Sequence, residues 1–398
     1  TKLKIPPGME TLKSGDVPAL VTNAEVMQLL AARTEARAKH DAEVATAAAD
    51  SGIYSGLWGG CAQQAGRPLP MPDWKDRSNP QFGRRRAVAR RQGAVRVRPG
   101  SAWQRALAVA RERQPRHFAE WQASDAVCHR RRAIDFRALP RSCDPLWGGG
   151  VPPIRAWRKR RQIENVLGPL AELTALLKRP AHIVDFCASS GHVALPAAAV
   201  LKGVTVEIND LRERPIDIAR ERIAALPPAL RARCTARVGS TETHTGPFDI
   251  GVALHACGVA TDVVLEACLR RRAAFVLVPC CVGRLAQRAN RGRNARASLP
   301  KTEAFAACFD LPKSAVWRGA LSSDEAKALA RAGDCTARDK LTADDRERRA
   351  CKTVIDGDRL ALAAERGYTV SHFVMRPFGI TPKNDVIVGY PSEWRSPV

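Results

Sequence analysis

The sequence predicts an α/β protein built on a mainly parallel sheet, preceded by a basic extension of helical and irregular chain. Three observations carry this. From Ala181 onward, short apolar runs that read as strands alternate with helical runs, the pattern of a parallel sheet covered by helices on both faces. The first strand closes at Asp185 and Phe186 and enters Cys187-Ala188-Ser189-Ser190-Gly191, a turn of small side chains where backbone can approach a ligand closely. A second acid, Asp210, ends the second strand, about where a nucleoside site needs a carboxylate for ribose hydroxyls.

The totals set the frame. The chain has 398 residues, 45% hydrophobic, with only 5% aromatic residues and a net charge of +24. It is long enough for two domains, and aliphatic side chains must fill its core. So large an excess of cations points to an anionic polymer as partner. No apolar run is long enough to cross a membrane as a helix, so no membrane role is expected. Twelve cysteines lie scattered without a small-scaffold spacing and read as reduced thiols with no disulfide partner. The chain begins at Thr1 rather than Met. Removal of an organellar transit peptide would leave such an end, as would ends cut elsewhere.

Taken in order, residues 1–16 read as an extended lead-in. Thr22-Asn-Ala-Glu25 is a capping box that opens a helix to about Asp50. Residues 51–80, rich in Gly and Pro, read as irregular chain. Between Arg77 and Arg141 there are 17 arginines, no lysine and four acids, with Trp103, Phe118, Trp121 and Phe136 interleaved. Arginine forks grip phosphate and stack on bases, so this stretch predicts an RNA-binding arm. Asp144 to Pro153, with three consecutive glycines, is the best linker. It divides a basic extension, 1–150, from a sheet domain, 151–398.

Arg155 to Leu177 reads as a helix, basic in its first half and apolar in its second. Strands are expected at 183–186, 204–209, 232–238, 248–255 and 275–279, with helices at 192–201, 216–226 and 261–272. Residues 284–345 form a charged, mostly helical insert with a patch of Arg284, Arg288, Arg291, Arg293 and Arg296. Two last strands, 367–376 and 385–390, joined by a short loop, predict an antiparallel hairpin at the sheet edge.

Six phrases in this order then resemble a known family: Arg-Lys-Arg-Arg-Gln-Ile-Glu-Asn (158–165), Val-Asp-Phe-Cys-Ala-Ser-Ser-Gly-His-Val (184–193), Gly-Val-Ala-Leu-His-Ala-Cys-Gly-Val-Ala-Thr-Asp (251–262), Val-Pro-Cys-Cys-Val-Gly (278–283), Leu-Pro-Lys-Ser (311–314) and Thr-Pro-Lys-Asn-Asp-Val-Ile-Val-Gly (381–389). Together they make residues from about Arg155 to Pro391 similar to the methyltransferase domain of the glutathione S-transferase C-terminal domain-containing proteins. The likeness extends more distantly to tRNA 2′-O-methyltransferases. It implies a seven-stranded Rossmann-like class I methyltransferase sheet that binds S-adenosylmethionine at the carboxyl ends of the early strands, with the seventh strand antiparallel. By the match, Asp185, Cys187, Ser189 and Gly191 belong to the cofactor turn, Asp210 holds the ribose in preference to Glu207, and Ser240 in the loop after the third strand faces the adenine. Cys187 and Ser189 stand where the first two glycines of the family turn belong.

Methyl transfer asks a protein mainly for proximity and alignment, with a base where the acceptor carries a proton. His255 and Asp262, after the fourth strand, are the candidates for acceptor positioning or base work; capping of the helix near Thr261 is the structural alternative. His255, Cys257, Cys280 and Cys281 have metal-ligand chemistry. No Cys-x-x-Cys occurs and two of these cysteines are adjacent, so no metal is expected. Lys383 and Asn384 precede the last strand. Two functions follow. One is an S-adenosylmethionine-dependent RNA methyltransferase acting on rRNA or tRNA. The other is a methyltransferase-fold, RNA-binding structural or assembly component of an organellar ribosome, with ribosomal proteins as neighbours. In both, a mitochondrial location is expected over a cytoplasmic one.

Overall fold

The computed structural model describes residues 101–113, 133–145, 153–287, 305, 307–334, 342–376 and 378–395, all within a unit spanning 66–398. The expected helix over 22–50, the irregular 51–80 stretch, most of the arginine arm, and Arg288, Arg291, Arg293 and Arg296 lie outside the described residues.

Seven strands form one sheet: β1 (Ala181–Phe186), β2 (Val204–Asp210), β3 (Cys234–Val238), β4 (Ile250–Leu254), β5 (Ala274–Val278), β6 (Tyr368–Val374) and β7 (Asp385–Pro391). Their order is β3-β2-β1-β4-β5-β7-β6. The first five are parallel, and β7 runs antiparallel to both β5 and β6. This is the expected seven-stranded Rossmann-like sheet, with its antiparallel hairpin at the β5 edge. β7 inserts between β5 and β6, so β6 is the edge strand.

The described helices are α1 (Ala102–Glu112), α2 (Pro153–Leu177), α3 (Ala194–Val200), α4 (Glu213–Ala224), α5 (Pro228–Arg231), α6 (Val259–Arg270), α7 (Ala315–Arg318), α8 (Ser323–Ala332) and α9 (Ala343–Glu365). Successive residues of a strand face opposite sides, and the sheet uses this to build two cores. Ile183, Val206, Val252 and Val276 pack with Leu167 and Leu170 of α2, Leu195 of α3 and Ile216 of α4. Val184, Phe186, Ala253, Phe275 and Leu277 pack with Val264 and Leu265 of α6 and Leu360 of α9. A third core lies beyond the sheet: Trp103 and Leu107 of α1 meet Trp317, Leu329 of α8 and Ile355 of α9. The expected insert is thus helical at α7 and α8, and a helix from the basic extension packs against it.

One long ionic chain crosses the buried interior. Arg359 of α9 donates to both oxygens of Asp262 on α6, at 2.8 and 2.9 Å, and to Asp356 at 2.8 Å. Lys352 pairs with Asp356 at 2.5 Å and with Asp385 of β7 at 2.8 Å. Asp358 accepts the backbone N–H groups of Lys313 and Ser314 at 2.7 and 2.9 Å. The phrase 311–314 therefore docks the insert on α9.

The strand order reverses between β1 and β4. In open α/β sheets ligands settle outside the carboxyl ends of the strands at such a reversal, and the candidate site lies there.

Candidate active site

The turn after β1 is held by the end of β2. Ala188 N–H donates to Asn209 O at 3.1 Å and Ser189 N–H to Asp210 Oδ2 at 2.8 Å. Cys187 and Ser189 have φ of 54° and Gly191 has φ of 78°. The turn therefore adopts the left-handed conformations expected of a glycine-rich loop, with side chains at two of the three positions, at a cost of roughly 1–2 kcal/mol each. Gly191 has no latitude: a Cβ there would meet Ile208 Cδ1 at 2.4 Å.

Two buried polar atoms beside this turn, Asp185 Oδ1 and Asn209 Nδ2, have no hydrogen-bond partner, and both carboxylate oxygens of Glu242, on the loop after β3, lack one as well. Each is costly unless something satisfies it. Asp185 accepts Ala194 N–H through its other oxygen at 3.1 Å. Burial raises its carboxyl to about 7, against the opposing pull of the Ala194 N–H and the Lys159 ammonium. Burial raises the Glu242 carboxyl as well. Asp210 behaves differently. Its burial is outweighed by Arg212, which donates from its backbone at 3.0 Å and its guanidinium at 3.1 Å, and by Ser189 N–H, so its pKa is lowered.

Next to the turn is a cavity of about 310 Å³ lined by Pro145, Arg155, Arg158, Lys159, Gln162, His192, His255, Ile380 and Thr381. His192 follows the β1 turn and His255 follows β4, so the cavity opens at the order reversal. Three cations reach it from the first turns of α2, the basic half seen in the sequence. Burial lowers the Lys159 ammonium, and nearby Asp185 opposes that.

Both histidines are neutral. Burial, with the positive charge of Lys159, takes His255 down to about 3. Its Nε2 is 3.0 Å from Gln162 Oε1; that oxygen only accepts, so Nε2 carries the proton and Nδ1 the lone pair. Its φ of 70° is strained for a residue with a side chain. Burial, with Arg222 and Lys159, also lowers His192 far below its ordinary value. Arg222 donates to His192 Nδ1 at 3.1 Å, which leaves Nε2 to donate to Ser190 Oγ at 3.3 Å. Arg222 is fully buried and also donates to Ser142 O and Ser190 O at 2.8 and 3.0 Å.

Asp185, Cys187, Ser189, Gly191 and Asp210 thus gather at one turn. Ser240 sits on the loop after β3, where its hydroxyl accepts Glu242 N–H at 3.3 Å. His255 lines the cavity. Asp262 does not: it is 2% exposed and both its oxygens are held by Arg359. The Arg359 and Lys313 cations keep its carboxyl charged despite burial. The expectation that it serves as a base is corrected accordingly, since no substrate can reach an oxygen committed to a buried ion pair. Nor is it the cap of α6, because the N-cap is Gly258. Lys383 and Asn384 are also engaged, Lys383 with Asp334 and Asn384 with Arg349. The sequence reading missed Lys159, Gln162, His192, Asn209 and Glu242.

The sheet order and the turn define a Rossmann-like α/β domain, and residues 158–288 match the family described as a methyltransferase domain. The chain is similar to the glutathione S-transferase C-terminal domain-containing protein of Mus musculus, with 34% identity over 259 residues, 65% of this chain and 37% of that protein. Its homolog in Drosophila melanogaster is 34% identical over 240 residues, 60% of this chain and 37% of that protein. The chain therefore spans little more than a third of the length of these relatives. Magnesium protoporphyrin IX methyltransferase from Synechocystis PCC 6803, solved with bound SAM, overlays with a TM-score of 0.34 at 12% identity, covering 63% of this chain and 90% of that one. At that score the overlay adds nothing to the strand order.

Proposed function

We propose that this protein is an S-adenosylmethionine-dependent methyltransferase acting on RNA. The observation that carries the reading is the juxtaposition, at the β1–β4 reversal, of a turn flanked by unsatisfied buried polar atoms and a cavity lined by three cations and two neutral histidines. The cofactor would supply an electrophilic methyl group on a sulfonium. Asp185 offers a carboxylate oxygen with no other partner, suited to the ammonium of the methionine end. Asn209 offers an amide N–H, and Glu242 offers acceptors for the adenine amine. Asp210 stands at the end of β2 for the ribose, with Arg212 the group that yields.

Arg155, Arg158 and Lys159 suit the phosphates of a polyanion, and the 17 arginines between Arg77 and Arg141 extend the same chemistry along the chain. His255, neutral at physiological pH, presents Nδ1 as a hydrogen-bond acceptor. An imidazole that titrates near 3 orients an acceptor hydroxyl or amine rather than holding its proton.

A second reading is favoured by one observation, that Arg212 and Ser189 already occupy Asp210. In it the fold is an RNA-binding component of a mitochondrial ribosome that does not turn over cofactor. Calorimetry with S-adenosylmethionine separates the two. Saturable binding that is lost in Asp210→Ala supports the enzyme, and no heat at millimolar cofactor removes it. Under both readings RNA affinity falls steeply with salt; an affinity indifferent to salt refutes RNA as partner.

A further inference from the structure

Three thiols meet where β4 and β5 end. The two strands pair in parallel with Leu254 opposite Val278, so their tails leave the sheet at the same edge. Cys257 lies on one tail, and Cys280 and Cys281 on the other. The β4 tail then curls, with φ of 70° at His255 and 60° at Gly258. It packs tightly: a Cβ on Gly258 would lie 2.9 Å from Arg284 Cβ. His255 N–H ties the tail back to Val278 O at 3.2 Å.

The outcome is a triangle of sulfurs. Cys257 Sγ is 2.9 Å from Cys280 Sγ and 3.6 Å from Cys281 Sγ, and the two adjacent cysteines are 3.6 Å apart. A tetrahedral ion bound at about 2.3 Å to each sulfur sets its ligands about 3.8 Å apart. Two edges of the triangle already match, and the third opens by under about 1 Å. Adjacency, which looked awkward in the sequence, does not prevent convergence, because Cys280 and Cys281 both turn toward Cys257. Arg284 brings positive charge beside Cys281, which complements the net negative charge of three thiolates around a divalent ion.

The other convergent acid–histidine group among the described residues, Asp356, His372 and Asp385, already holds a cation in the Lys352 ammonium.

We propose that Cys257, Cys280 and Cys281 bind one thiophilic cation of the zinc class, which clamps the tails of β4 and β5 and so fixes the backbone that carries His255. The protein supplies three ligands, and a fourth position is left to water or another donor.

The test uses the full chain, purified under reducing conditions, with Zn²⁺ and Co²⁺ as probes. The expected result is one equivalent of zinc per chain, thiolate-to-cobalt charge-transfer absorption, and protection by zinc of the Cys257 and Cys281 peptides from alkylation. The alkylation map needs no variant and separates this cluster from Cys61, Cys128 and His129 elsewhere in the chain. Cys257→Ser and Cys281→Ser should each weaken zinc by at least about 100-fold. Three results overturn the proposal: a reduced chain that takes up neither ion, zinc that leaves the alkylation of these cysteines unchanged, or binding undiminished in the triple serine variant. A Cys257–Cys280 disulfide in the isolated chain, with no metal uptake after reduction, would assign the pair to redox chemistry and equally overturn it.

Discussion

Asp185→Asn should make the protein more stable and, under the proposed function, a poorer binder of S-adenosylmethionine, and the gain in stability should grow with pH. Asp185 is 1% exposed, and its carboxyl titrates at about 7 where an ordinary one titrates at 3.8. A carboxyl whose pKa is raised by folding binds more protons in the native state. It therefore costs stability as pH rises between the two values, and the cost is complete above the higher one. By linkage it is roughly 1.7 kcal/mol at pH 5 and about 4 kcal/mol at pH 8, an upper bound. Asparagine removes this dependence. Its carbonyl can still accept Ala194 N–H, while its amide is left where Oδ1 now has no partner, at about 1–3 kcal/mol. The net expectation at pH 8 is about 1–3 kcal/mol of added stability, and the pH-dependent part is the cleaner quantity. Urea denaturation of both proteins between pH 5 and pH 8 should show their difference widening by about 2.5 kcal/mol in favour of the variant. S-adenosylmethionine titration should show weaker binding. A difference independent of pH, or a variant that loses stability as pH rises, refutes the assignment of Asp185 as a carboxylate held at a cost for a ligand.

Three other expectations are simpler. Ser189→Gly relieves a side chain held at φ of 54° and should raise stability by about 0.5–1 kcal/mol, read by thermal melting, without weakening cofactor binding. Arg359→Met leaves Asp262 without its bidentate partner and should cost about 3–5 kcal/mol in chemical denaturation; a smaller loss would mean that Lys313 compensates. His255 stays neutral across the ordinary working range, so its protonation should contribute no limb to a pH–rate profile between pH 6 and 9. Its C2-proton shift in NMR should be flat there.

Much of the sheet was legible in the sequence because its strands are short apolar runs with one chemistry. Ile183 to Phe186 and Phe275 to Val278 face helices on both sides and admit almost nothing polar. The helix α9 was not singled out, although its capping box at Thr342 and Asp345 is plain. Its buried face carries Lys352, Asp356, Asp358 and Arg359, which read as a solvated surface unless their partners are known. Asp262 was misread for the same reason: it stands near His255 in sequence, while Arg359 is 97 residues away. The small-residue turn after β1 was visible as a pattern, and its Ser189 stood out. That Ser189 still takes a glycine-like φ could not be read from composition. The basic half of α2 was also visible, but only the fold brings it over the carboxyl edge to line a cavity with His192 and His255.

The place of β7 has a consequence for how the protein is made. β6 is synthesised before β7 but cannot join the sheet, because β7 lies between it and β5. As the chain emerges from the ribosome, β5 keeps a bare hydrogen-bonding edge and Phe275 and Leu277 lack Ile387 as a neighbour until residues 385–391 appear. Closure of the domain therefore waits for β7, the last strand of the sheet to be made. A ribosome stalled short of residue 385 would carry a sheet with an open apolar edge, the kind of species that chaperones exist to cover.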